Sequence, residues 1–169
     1  SYKWYRSLGL IIMLLDSSKF NNTPLVVENA FDILPSWDDI IFDLDFNVRT
    51  NSNSVRDLGN LGAVTHFGEN IPKVNDIRKQ IHSLRPNEET CSAHVYISFL
   101  TMSNTFGWHA DDTDVFYVQA KGKTLWEVDF NSNITQYLLS PGDLIYVPKF
   151  VNHNTIPKSP RVGISLGFT

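Results

Sequence analysis

From residue 93 onward the chain is a succession of short segments: HVYISF, DVFYVQA, TLWEV, TQYLL, DLIYVP and RVGISLGF. Each is rich in Val, Ile, Tyr and Phe, and turn residues such as Gly122 and the Pro141-Gly142 pair separate them. β-Branched and aromatic side chains suit the pleated, half-buried surface of a strand, and such short connections join antiparallel neighbours. Many antiparallel strands in a small volume must cover or close their edges. This half is therefore expected to form a barrel or jelly roll, with whatever precedes it packed alongside.

What precedes it mixes periods. PLVVENAF (24–31) has strand composition, whereas LPSWDDIIFDLDF switches to a helical repeat in which Trp37, Ile40, Ile41 and Leu44 share a face. Ser36 ahead of Trp37, with Asp39 three residues on, predicts a capped N-terminus, and Asp38, Asp39, Asp43 and Asp45 are expected on the solvated side. RTNSNSVRDLGNLG (49–62) reads as loop. A second helix is predicted in IPKVNDIRKQIHSL, with Val74, Ile77, Ile81 and Leu84 as its apolar stripe, Pro72 in the first turn and Pro86 beyond the end. The expected arrangement over 1–169 is one domain, with a helix-and-strand lead-in at 1–92 and a β core at 93–169; 169 residues, 42% hydrophobic, suffice for one substantial core.

Several classes are disfavoured. A net charge of −4, with 14 Lys and Arg scattered along the chain, lacks the basic stripe that phosphate backbones select, so nucleic acid is not an expected partner. Cys91 is the only cysteine, which fits a reducing, cytoplasmic setting and reads as a small buried hydrophobe. LGLIIMLL (8–15) imitates the middle of a secretion signal, but no small-residue cleavage site follows and it is far short of the roughly 20 apolar residues a membrane helix needs. It is expected to pack in a core.

The chemistry gathers in GWHADDTDVFYVQAKGKTLW (107–126). On extended backbone, His109 and Asp111 project from the same face and can converge on one point, while Asp112 faces away and Asp114 lies beyond a turn. Alone, such a pair is a common surface feature. Downstream, SPGDLIYVPKFVNH encloses five residues between Gly142 and Pro148 and four more before His153, which is expected in a non-strand segment. That glycine, proline and histidine spacing resembles the second motif of cupins. Two histidines and one carboxylate on one face leave positions open around a metal, the arrangement of non-haem Fe(II) oxygenases.

HADDTDVFYVQAKGKTLWEV is similar to the Jumonji C and cupin-like 2-oxoglutarate oxygenases, especially the ribosomal oxygenases and the asparaginyl hydroxylase of hypoxia-inducible factor. Phe116, Gln119, Gly122 and Trp126 match their phenylalanine, glutamine, glycine and tryptophan, and TPLVVENAFDILPSW resembles the family's first strand and helix. The resemblance implies a mainly β, cupin-like double-stranded β-helix (jelly roll) with N-terminal helices. It also implies Fe(II) held by His109, Asp111 and His153, 2-oxoglutarate as co-substrate, and O2-dependent hydroxylation of a second substrate, a protein or peptide side chain. Two departures stand out: the family's basic anchor for the distal carboxylate falls on Thr124, and its threonine before the first ligand falls on Phe106. Arg161, with Ser165 on the same face of the last strand, is the expected replacement anchor; an exposed edge charge is the alternative. Thr124, Tyr96 on a polar strand face, and Asn104, which also suits a turn, complete the candidate co-substrate contacts. The rival function is a cupin that binds another metal, as an isomerase, hydrolase or binding module without 2-oxoglutarate. Oligomeric state is left open.

Overall fold

The computed structural model describes residues 16–66 and 70–168; the 8–15 segment lies outside them. Among the described residues, ten strands form two sheets. β1 (Leu25–Val27), β2 (Val55–Gly59), β3 (Gly62–His66), β4 (Cys91–Ser98), β5 (Val115–Lys121), β8 (Leu144–Val147) and β10 (Arg161–Phe168) make a seven-stranded sheet in the order β1-β8-β5-β10-β4-β3-β2. β6 (Thr124–Phe130), β7 (Asn133–Leu139) and β9 (Asn152–Pro157) make a three-stranded sheet with β6 central. All neighbouring strands run antiparallel. The two sheets face one another across Tyr117, Trp126, Val128, Leu139, Ile145 and Val147. This is the mainly β double-stranded β-helix, with helices, that the resemblance implied, and the jelly roll left open by the strand pattern.

Alternation along β10 decides which side does what. Val162, Ile164, Leu166 and Phe168 enter the apolar cluster shared with the helices, whereas Arg161, Ser165 and Gly167 turn to the space between the sheets. Helix α2 (Pro72–His82) covers the outer face through Val74, Ile77 and Ile81, all essentially buried, with Leu84 just beyond its end; the predicted stripe is the one observed. Helix α1 (Trp37–Thr50) begins with a capping box: Ser36 Oγ accepts from the Asp39 N–H at 3.1 Å, and Asp39 Oδ2 accepts from the Ser36 N–H at 2.7 Å.

Four local expectations change. Asp43 is buried, not on a solvated face, together with Asn47; Asn47 donates to the Asp43 carbonyl and accepts from Ser54, so a polar seam joins α1 to the turn at Ser52–Ser54. Ile41 is instead 49% exposed. The presumed loop at 49–62 contains the β2–β3 hairpin, whose turn residues Asn60 and Leu61 both adopt positive φ (50° and 58°), as a tight two-residue turn matching strand twist demands. Asparagine followed by leucine hid that turn, and Arg56 and Asp57 broke the apolar alternation. His153, expected outside a strand, is the second residue of β9, a polar segment made a strand by pairing with β6. Among the described residues no helix is long and apolar enough to cross a membrane.

Candidate metal and co-substrate site

Two loops bring the ligand-type side chains together. The 107–114 segment lies against the start of β9, where His109 and His153 exchange both backbone hydrogen bonds (3.0 and 2.8 Å). The Phe150 N–H donates to the Asp111 carbonyl at 2.7 Å. His109, Asp111 and His153 thereby each offer one ligand-type atom, all within 4.8 Å of one another. Asp111 Oδ2 is 3.9 Å from His109 Nε2 and 3.4 Å from His153 Nε2.

The histidine tautomers follow from their other nitrogens. His109 Nδ1 is 2.8 Å from the Gly107 carbonyl, and His153 Nδ1 is 3.0 Å from the Val151 carbonyl. A carbonyl can only accept, so each Nδ1 carries the proton and each Nε2 presents its lone pair toward Asp111. Burial above all, with His109 nearby, lowers the pKa of His153, against the opposing pull of the Val151 bond and Asp111. The ring is thus kept in the neutral form that a metal requires. Trp126 stacks on it, centroids 5.2 Å apart and planes 23° apart, and fixes its plane.

These residues line a cavity of about 290 Å³ between the sheets. Its inner end is defined by Arg161, 2% exposed on the central strand of the large sheet, which removes the edge-charge alternative. Arg161 Nε donates to Ser98 Oγ at 3.1 Å and Nη1 to the Tyr117 hydroxyl at 2.7 Å. Among the described residues no carboxylate lies within ion-pairing distance of it. Burying a charge without a counter-charge costs several kcal/mol, so this guanidinium is poised for an anion. Tyr117 reaches it by lying across Gly163, where an added Cβ would run into the phenol ring and hydroxyl. The β5–β6 turn also guides the approach to Arg161: Gly122, at φ +64°, abuts the Pro160 carbonyl, and the Lys123 N–H donates to Ser159 Oγ at 2.8 Å.

The other expected contacts divide. Tyr96 and Ser165 line the cavity. Burial, aided by the charges of Asp111 and Tyr117, pushes the Tyr96 phenol up to about 12, so it stays a proton donor. Thr124 is fully buried, its hydroxyl without a partner among the described residues, but it does not line the cavity. Asn104 is a correction: its side chain accepts from Asn60 at 3.1 Å against the β2–β3 hairpin, outside the cavity, because the loop after β4 turns back onto that hairpin. Phe106 lines the mouth, edge-on to His109 and Tyr96, with the Arg56 guanidinium over its ring. Trp108, beside the first ligand-type residue, is 44% exposed. Tyr117 and Thr155 are cavity residues that the sequence reading missed. Tyr117 was findable, because it shares a face with Val115 opposite Phe116; Thr155 was not, since β9 has no strand-like composition.

Comparison with known proteins agrees with this geometry. A family model described as JmjC domain matches residues 65–133. No curated protein matches. Among solved structures, the Escherichia coli ribosomal oxygenase YcfD is similar at TM-score 0.71 and 18% identity, over 92% of this chain and 51% of that one. YcfD in complex with cobalt and 2-oxoglutarate is similar at TM-score 0.68 and 19% identity, over 87% and 48%. Its complex with cobalt and succinic acid gives 0.65 and 19%, over 86% and 48%. At these identities the likeness shows the fold, and this chain spans about half the length of those proteins. The JmjC match thus spans the first two ligand-type residues, His109 and Asp111, and the similar structures share the double-stranded β-helix fold that surrounds all three.

Proposed function

We propose that this domain binds Fe(II) through His109, Asp111 and His153, binds 2-oxoglutarate with its distal carboxylate on Arg161, and hydroxylates a second substrate, a protein side chain. The observation that carries the reading is the buried Arg161, with no carboxylate counter-ion among the described residues, in the same cavity as the triad. The donor set fits the metal: two imidazoles with Nε2 lone pairs free and one carboxylate, converging from one side. Iron held there would supply the redox chemistry by which O2 converts 2-oxoglutarate to succinate and CO2, one oxygen atom entering succinate and the other turning a C–H bond into an alcohol.

The chain's own work is positional. Arg161 offers its guanidinium to a carboxylate, and the Tyr117 hydroxyl, accepting from Arg161, keeps its own proton to donate to the same anion. Tyr96 and Ser165 add hydroxyls along the wall. Trp126 and Phe106 keep water from the ligand histidines on two sides. The mouth beside Phe106 and Asp112 is left for the second substrate. A protein target is supported by the ribosomal oxygenase name of the similar structures, and YcfD itself is seen with cobalt, 2-oxoglutarate and succinic acid.

Anaerobic addition of Fe(II) and 2-oxoglutarate should give a visible charge-transfer band, and admission of air should then yield succinate. Neither signal at saturating co-substrate would leave a metal-binding cupin without oxygenase activity. Arg161→Ala should raise the 2-oxoglutarate requirement steeply; an unchanged requirement would put the anchor elsewhere.

A further inference from the structure

Asp114 lies three residues beyond Asp111 and outside the cavity wall, yet every oxygen of its carboxylate is engaged. Oδ1 accepts from the Lys149 backbone N–H at 3.0 Å. Oδ2 accepts from the Tyr146 hydroxyl at 3.0 Å and from Arg85 Nη2 at 3.1 Å. Lys149 begins the short turn that leads into β9 and His153, so one side chain bridges the loop bearing His109 and Asp111 to the turn that precedes the third ligand-type residue. The Arg85 end is anchored in turn. Its Nη2 also donates to the Phe20 carbonyl at 2.6 Å, and its guanidinium lies over Phe116 and Tyr146 at 5.7 and 5.9 Å.

The backbone beside this bridge is under tension. Phe150, next to Lys149, has φ +63°, a left-handed conformation that a bulky side chain adopts only when its surroundings impose it. Here its neighbour's N–H is held by Asp114 and its own N–H by the Asp111 carbonyl. Burial, with Asp114 adding to it, pushes the Tyr146 phenol up to about 12, so this donor persists across the working pH range.

We propose that Asp114 is a positioning residue of the metal centre: by joining the loop of His109 and Asp111 to the turn before β9 and tying both to Arg85, it holds His153 at ligand distance from His109 and Asp111. The proposal rests on the metal-site reading above. Partners behind a ligand set typically change metal affinity by about 10- to 100-fold when removed. The test is titration of the intact protein with Co(II), read by its visible absorption, and with Mn(II), read by electron paramagnetic resonance.

Asp114→Ala should weaken Co(II) binding about tenfold or more, and Asp114→Asn, which keeps an oxygen for Lys149 but turns an amide toward two donors, by at least about threefold. Arg85→Lys, which retains a cation for Asp114, should recover most of the wild-type affinity. Ser36→Ala, destabilising but remote from the loops, should lower Tm without moving the metal affinity, which separates positioning from general loss of stability. If Asp114→Ala does not fold, the isosteric Asp114→Asn carries the test. Wild-type affinity in the Asp114 variants, with only Tm reduced, would overturn the proposal. Failure of the wild type to bind Co(II) or Mn(II) would overturn the metal-site reading itself.

Discussion

Arg161 and Gly163 form a unit at the residue scale. The glycine is needed for what it lacks: Tyr117 occupies the space a side chain would take and so reaches the guanidinium. Gly163→Ala should displace the phenol, and Tyr117→Phe should remove its hydroxyl without displacing it. Since a hydrogen bond to a charged group is worth about 1.5–3 kcal/mol, both should raise the 2-oxoglutarate concentration for half-maximal succinate formation by about tenfold or more. Co(II) affinity, set at the other end of the cavity, should not change. A parallel loss of metal binding in Tyr117→Phe would mean that the phenol supports the triad and not the anchor. Arg161 shows what a residue pattern can and cannot tell. Alternation in RVGISLGF showed that it shares a face with Ser165, but whether that face was an edge or a cavity depended on strands distant in sequence.

Helix α1 carries two acids with opposite consequences at the element scale. Asp39 has its pKa held at about 2, against 3.8, first by the Ser36 backbone N–H and then by the Lys73 and Ser36 side chains. Its folded value lies below its unfolded one, so its contribution is complete above about pH 4 and is lost as pH falls toward 2. The stability difference between wild type and Asp39→Asn, followed by denaturant unfolding, should therefore be present at pH 6 and vanish by about pH 2. Ser36→Ala should cost about 1 kcal/mol, a fall of about 2–4 °C in Tm for a chain this size. Asp43 runs the other way: burial raises its pKa, more than hydrogen bonds from Asn70 and Asn47 lower it. Ionised Asp43 is thus a burden on the fold near neutrality. Asp43→Asn should be at least as stable as wild type at pH 7, with the difference shrinking as pH falls through the raised pKa. The cap was legible because both of its hydrogen bonds join residues three apart in sequence; the buried Asp43 was not, because Ser54 and Asn70 come from outside the helix.

Ligand binding should appear as stability at the scale of the whole molecule. Co(II) with 2-oxoglutarate at about 100 times its dissociation constant adds roughly 2.7 kcal/mol by mass action, or about 5–10 °C in Tm for this size. Calorimetry should show that rise in wild type and its absence in Asp111→Ala, and chelation should reverse it. The sequence by itself determined what spacing and period can carry: the β-rich second half, the α2 stripe, the Ser36 cap, and the spacing of His109, Asp111 and His153 that resembles the Jumonji C oxygenases. These are readable because each is a relation between residues close in sequence or a spacing tied to one motif. Tertiary structure alone decided that 55–66 is a hairpin, that polar β9 is a strand, that Asn104 serves a turn, and that Arg161 is buried facing the triad. The hairpin is local but its Asn60-Leu61 turn carries no common turn signature; the others depend on which strands become neighbours, and those neighbours stand tens of residues apart, where no local propensity reaches.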